Sequence, residues 1–263
     1  MMHSLCVEKV SFAYDKTKVL QNIDLEIPAG QISVILGANG CGKSTLLKNM
    51  CKILRPTQGQ IILDQKDIWK YNSKQLATKM GLMPQSAEVP EGITVFDLVS
   101  RGRFPYRQAF KSLNHEDIEA IQTAMEWMNI TDIADKQVDE LSGGQRQRVW
   151  MALVLAQDTD ILFLDEPTTF LDIQYQIEIL DCLYELNQKK QTTILMVLHD
   201  INLAARYSHH LFALKKGRLV AQGKPENILT SDLIKDVYGL ECRIIEDPYY
   251  HSPMVLPIGK HTV

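Results

Sequence analysis

The apolar positions change period several times along the chain, and each change marks an element. LCVEKVSFAY (5–14) and VLQNIDLEI (19–27) alternate apolar and polar residues, the two-residue period of strands with one covered face. A turn at Pro28, Ala29 and Gly30 leads into QISVIL (31–36), whose largely apolar run suits a strand buried on both faces. LLKNMCKIL (46–54) places leucine and isoleucine at helical spacing and stops before Arg55 and Pro56. GQIILDQKDI (59–68) reads as a strand with a hairpin arm, and MGLMPQ (80–85) as a short strand.

From about Thr94 to Ala156 the period is helical, in TVFDLVSRGR, EDIEAIQTAMEWMNI and GQRQRVWMALVLAQ. Strands return in ILFLDEP (161–167), TTILMVLHD (192–200) and the hairpin HLFALKKGRLVAQG (210–223). Helices over 173–190 and from Ile201 to Tyr207 separate them. The alternation predicts an α/β fold with a parallel sheet, preceded by antiparallel strands and interrupted by a helical subdomain. Residues 226–263 read as a short helix, ENILTSDLIKDVYG, and a proline-bearing tail lying on the core.

Composition narrows the partners. The 263 residues suffice to bury roughly 70–75% of the unfolded surface, and 45% apolar with 23% charged residues is ordinary for a globular chain. A formal net charge of −4 offers no general attraction for nucleic acid, and none is expected as a partner. ILFL (161–164) and TILMVL (193–198) are far short of the ~20 residues that cross a bilayer. The N-terminus lacks the features of a secretory signal, so the expected location is the cytosol. Five cysteines (Cys6, Cys41, Cys51, Cys182 and Cys242), an odd count without a CxxC pair, read as reduced thiols.

The chemistry begins at Gly37-Ala38-Asn39-Gly40-Cys41-Gly42-Lys43-Ser44-Thr45, which satisfies GxxxxGK followed by Ser or Thr between a strand and a helix. Gly37, Gly40 and Gly42 let the backbone curl with its N–H groups inward, and the helix N-terminus adds partial positive charge. Lys43 neutralises the β- and γ-phosphates of a nucleotide, and Ser44 offers a hydroxyl to Mg²⁺. Cys41 sits where a helix N-terminus lowers a thiol pKa, yet its small size and N–H are what the loop requires.

ILFLDEP ends an apolar strand in two carboxylates. Asp165 suits Mg²⁺ held through water, and Glu166 suits orienting an attacking water; the alternative is an acidic pair at a helix start before Pro167. A second candidate anion site lies at Ser142, Gly143, Gly144 and Gln145, within LSGGQ.

Taken together, GANGCGKST, LSGGQ, ILFLDEP with the following FLD, Gln85 in LMPQS and His199 in MVLHD resemble the Walker A, signature, Walker B, D-loop, Q-loop and switch-histidine motifs of ABC transporter ATP-binding subunits, in the family's order. The resemblance implies a P-loop NTPase core with a RecA-like parallel sheet, an N-terminal antiparallel β-subdomain and an inserted helical subdomain. It implies a nucleotide-binding domain over 1–240, with the core in 1–88 and 158–225 and the helical signature subdomain in 89–157, and an appendage over 226–263.

It also implies roles. Tyr14 stacks on adenine, unless it is an ordinary edge-strand tyrosine. Gln85 approaches Mg²⁺ and the water; His199 contacts the γ-phosphate and positions Glu166; Asp172 reaches across a dimer interface. ATP and Mg²⁺ are the implied ligands. Two copies dock head to tail, Ser142, Gly143, Gly144 and Gln145 of each closing on the ATP of the other. Membrane permease subunits are expected near 85–107, where Val89, Ile93, Val95, Phe96, Leu98 and Phe104 are interspersed with Arg101, Arg103 and Arg107; the alternative is a core helix, taking most of those apolar residues, followed by a solvated basic turn at the arginines. An extracytoplasmic substrate-binding protein is an indirect partner, and the chain works at the cytoplasmic face of a bacterial membrane.

SRGRFPY, the stretch from SGGQ to FLD, and VLHDINLAARYSHHLFALKKGRLVAQG resemble the ATP-binding subunits of iron(III)-siderophore importers, a group that includes haem and cobalamin importers. The short tail fits that group better than sugar importers. Soluble ABC ATPases of translation or repair usually carry tandem domains or a coiled-coil insertion, and a small-molecule kinase would leave LSGGQ and His199 without a role.

Overall fold

β1 (Leu5–Tyr14) and β2 (Thr17–Ile27) pair antiparallel in the computed structural model, which describes residues 3–84, 91–107, 112–169 and 171–259. Leu5, Val7, Val10 and Phe12 are all buried, although Val7 and Val10 are out of strand phase. A register shift between them, with Lys9 at φ 49, restores the phase so that both point inward. The chain separates into two compact units, one of Met1–Lys70 with Thr193–Val263 and the other of Tyr71–Thr192.

In the first unit β3 (Ile32–Leu36) is buried at every position and feeds α1 (Lys43–Met50). β4 (Gln58–Leu63) pairs antiparallel with β1, and β5 (Lys66–Asp67) with β4, which gives the sheet order β2-β1-β4-β5.

The second unit holds α2 (Ser73–Ala77), β6 (Met80–Met83), α3 (Val95–Ser100), α4 (His115–Trp127), α5 (Gly143–Ala156), β7 (Ile161–Asp165) and α6 (Ile173–Lys190). β6 and β7 run parallel, and α3, α4 and α5 pack on one another. Asn72, Thr94 and Asn114 cap their helices with side-chain oxygens. The helical segment expected from 94 to 156 lies inside this unit, which extends further on both sides. Helix α2 is absent from the sequence reading: five residues are too few to show a period. TVFDLVSRGR is α-helical only to Ser100 and continues as a 3₁₀ turn, Arg101–Arg103.

The first unit resumes with β8 (Thr193–Val197), α7 (Ile201–Tyr207), β9 (His210–Lys215) and β10 (Arg218–Gly223). β3 lies between β8 and β9, parallel to both, and β10 is antiparallel to β9. Lys216 at φ 47 and Gly217 at φ 75 make the two-residue hairpin turn, both in the left-handed region. Gly217 is required sterically as well, since a Cβ there would lie 2.0 Å from the carbonyl oxygen of Val19.

The segment read as one helix over 226–239 is two, α8 (Pro225–Ile228) and α9 (Ser231–Tyr238), because Thr230 turns extended and caps α9 through Leu233 N. The tail forms a hairpin of β11 (Cys242–Glu246) and β12 (Pro253–Pro257). Asn202 on α7 fastens it by mimicking a strand edge: its Oδ1 accepts from Val255 N at 2.7 Å and its Nδ2 donates to Val255 O at 3.2 Å. Arg206 adds an ion pair to Asp247 at 2.8 Å. Among the described residues no helix is long and apolar enough to cross a membrane, and all five cysteines are free.

Candidate functional site

Gly37 opens the loop after β3 at φ 152, and a Cβ there would meet the Leu214 carbonyl oxygen at 2.4 Å and Cys41 Sγ at 2.6 Å. Glycine is thus the only residue that fits. Gly40 (φ 75) and Gly42 (φ 109) continue the curl, Gly42 at the N-cap of α1 without a side-chain cap. Lys43 is buried and folds back over the loop, its Nζ donating to Gly37 O at 2.7 Å and Ala38 O at 3.3 Å. The ammonium is thereby held above the curl into which Ala38, Asn39, Ser44 and Thr45 also contribute backbone.

The loop is braced from outside. Gly217 N donates to Cys41 O at 2.9 Å, and Gly37 N donates to the Tyr238 hydroxyl at 2.9 Å. Cys41 is buried, and burial pushes its thiol up, with the Lys43 charge only partly opposing it. The helix terminus therefore does not make this thiol acidic, contrary to the expectation from its place in the loop.

At the end of β7, Asp165 and Glu166 are both buried. Glu166 adopts φ 57, a left-handed conformation rarely taken by a glutamate. Thr169 holds it, the backbone N donating to Glu166 O at 3.2 Å and the hydroxyl to Glu166 Oε2 at 3.1 Å. The turn fixes the direction of a buried carboxylate at the end of the strand.

Ser142 heads α5 in a capping box: its hydroxyl accepts from Gln145 N at 3.3 Å, and Gln145 Oε1 accepts from Ser142 N at 3.2 Å. Two of the groups read as an anion cradle are thus already paired within the chain. Ser142, Gly143 and Gln145 are exposed, and Gly144 packs near Leu171 and Tyr175. The arginines of the helix have intrachain partners too. Arg146 donates to the carbonyls of Asp139 and Leu141, and Arg148 pairs with Glu178 over the Tyr175 ring. Asp172 stands at the N-cap of α6 without a side-chain cap bond, beside Ile173, which is 79% exposed.

His199 is exposed just after β8, before Asp200, which caps α7 through Asn202 N and Leu203 N. Tyr14 is half-exposed at the end of β1, edge-on to Phe12 at 4.8 Å between centroids. Gln85 and Val89 lie outside the described residues.

Of the expected docking segment, Ile93, Val95 and Leu98 are core, while Phe104 is 71% exposed and Tyr106 is exposed. Arg103 departs from the solvated basic turn expected of it. It is buried, with its Nε 2.9 Å from Asp117 Oδ1 and its Nη1 donating to Ala156 O at 3.0 Å. It holds the helices of its own unit together, and nothing adjacent in RGR signals that, because Asp117 lies 14 residues on.

The model of the ABC transporter family matches residues 20–169. The chain is 49% identical to the ferric enterobactin transport ATP-binding protein FepC of Escherichia coli (strain K12), over 96% of this chain and 93% of that one. It is 44% identical to the iron(3+)-hydroxamate import ATP-binding protein FhuC of Bacillus subtilis (strain 168), over 97% and 95%. Among solved structures it is similar to a chain of an ABC transporter in an inward-facing conformation, with a TM-score of 0.84, 30% identity and 98% of each chain covered. It is also similar to MJ0796, a bacterial ABC transporter cassette solved as a dimer, with a TM-score of 0.75, 27% identity, and 84% of this chain and 98% of that one covered. A glycine loop closed by its own lysine, a carboxylate pair ending a buried strand, a capped SGGQ helix and these likenesses agree: the chain belongs to the ABC transporter family and is one of its ATPase subunits.

Proposed function

We propose that the chain energises uptake of an iron(III)-siderophore complex, binding and hydrolysing ATP on the cytoplasmic side of a bacterial membrane. The observation that carries the ATPase part is the fit of the phosphate loop: glycines at 37, 40 and 42 where curvature or close packing needs them, and Lys43 poised over the curl. The iron chelate rests on what the relatives' names state they transport, with 44 to 49% identity over nearly the whole chain.

Each residue then has a task. Amides within residues 38–45 bind the phosphates while Gly37 shapes the turn, Lys43 neutralises the β- and γ-phosphates, and Tyr14 stacks on the adenine. Mg²⁺, a cation that takes few protein ligands beside phosphates, would be held by the Ser44 hydroxyl, Gln85 and Asp165, the ligands that the family resemblance implies. When bound, Mg²⁺ supplies charge neutralisation on the phosphate oxygens. Glu166 accepts a proton from water as that water's oxygen forms its bond to the γ-phosphorus and the bond to the bridging oxygen breaks; His199 positions the carboxylate and the water.

The exposed Ser142–Gln145 stretch and the exposed Asp172 and Ile173 suit a second copy of the chain, each signature completing the partner's site. Closure and reopening of that dimer would move permease subunits seated near 85–107, with Phe104 and Tyr106 as the described exposed anchors. An extracytoplasmic binding protein delivers the chelate to the permease.

Deleting the gene is expected to abolish uptake of at least one radiolabelled ferric siderophore, and a plasmid copy to restore it where a Lys43→Ala copy does not. Unchanged uptake of every ferric siderophore, with loss of haem or cobalamin uptake instead, would reassign the substrate.

A further inference from the structure

We propose that Tyr238 is a positioning residue for ATP, its phenol fixing the first amide of the phosphate loop; this rests on the reading of residues 37–45 as the loop that holds the phosphates. The contact is specific. Gly37 N donates to the Tyr238 hydroxyl at 2.9 Å across 201 residues of chain, and both residues belong to the first unit. An inward N–H binds phosphate, whereas one committed to a side chain holds the turn from behind. Gly37 is constrained on three sides: its N–H is taken by Tyr238, its carbonyl by Lys43, and a Cβ in place of its hydrogen would lie 2.4 Å from the Leu214 carbonyl oxygen and 2.6 Å from the Cys41 sulfur. The same Lys43 is the group that meets the phosphates, so a shift of Gly37 carries the ammonium with it.

Tyr238 is itself held firmly enough to act as an anchor. It ends α9, whose Ile234 and Val237 are buried and whose following Gly239 closes the helix at φ 69. Lys215 at the end of β9 pairs with Asp236 at 2.5 Å, joining α9 to the strand beside β3. Burial pushes the phenol up to about 12, so it stays protonated and keeps one hydrogen-bonding state across the neutral range.

The test uses the full chain and compares Tyr238→Phe with Asp236→Ala and Lys43→Ala. Tyr238→Phe keeps the ring in place and removes only the hydroxyl. It is expected to raise the KM and the Kd for ATP about three- to ten-fold, the range of one neutral hydrogen bond, with kcat within about two-fold of the original. Asp236→Ala loosens α9 but keeps the hydroxyl, so it should lower the melting temperature and raise the KM by less than Tyr238→Phe does. A Tyr238→Phe chain that melts earlier but keeps its KM and Kd would make the hydroxyl merely structural and overturn the proposal. Lys43→Ala separates the two readings. If it binds ATP normally, the phosphate-loop reading itself fails; if it loses ATP while Tyr238→Phe binds as before, only the role of Tyr238 falls.

Discussion

Gln147 Nε2 donates a 2.8 Å hydrogen bond to the carbonyl oxygen of Pro167. The first residue lies on α5, five positions past the serine that caps it, and the second follows Glu166 directly. One hydrogen bond therefore joins the helix that carries SGGQ to the turn that aims the carboxylate. Replacing Gln147 by leucine should lower kcat about two- to ten-fold, the worth of one such bond, with ATP binding unchanged. Steady-state kinetics beside equilibrium nucleotide binding check this; a fall in both together would place Gln147 in binding instead.

Glu166→Gln keeps an acceptor for Thr169 and removes the base. Turnover should drop roughly 10²–10⁴-fold with ATP affinity preserved, and the ATP-bound dimer should persist on a sizing column. Normal turnover would exclude Glu166 from the mechanism. Ser142→Arg should leave ATP binding to the monomer intact and abolish that dimer.

Arg103 and Asp117 have side chains only 7% and 5% exposed. Arg103→Ala leaves a buried carboxylate without its cation and should cost about 3–5 kcal/mol, read from denaturant titration. A loss below about 1 kcal/mol would return Arg103 to the solvated turn suggested by RGR.

Thiol chemistry gives a fourth expectation. Burial pushes Cys41 up and Cys182 to about 12 from an ordinary value of 9.0. Iodoacetamide at neutral pH should label the half-exposed Cys6 and Cys51 well before either, as mass spectrometry of the digested protein reads out. The linkage has a definite sign. Between pH 9 and 12 the unfolded chain releases the Cys182 proton that the folded chain retains, so stability falls as pH rises through that window. Rapid labelling of native Cys41 would contradict the buried loop.

The contiguous features were legible in the sequence. The phosphate loop declares itself because nine adjacent residues carry it, and the long strands and helices because burial imposes a period on them. What escaped depends on residues that meet only after folding. Nothing near Tyr238 mentions Gly37; Arg103 meets Asp117 from another helix; Asn202 holds a hairpin that contains prolines and reads as an irregular tail. The capping box at Ser142 and Gln145 was spelled out in the sequence and hidden by a more specific motif on the same residues.

The left-handed Glu166 sets activity against stability. A glutamate at φ 57 carries strain of order 1 kcal/mol, and glycine or asparagine would adopt the same turn more readily. Selection for a sturdier fold would favour replacing it; under its proposed role as the base, selection for turnover keeps it. A variant library screened for heat resistance alone should drift away from glutamate at this position, and each survivor that has done so should be a better-folded protein that no longer hydrolyses ATP.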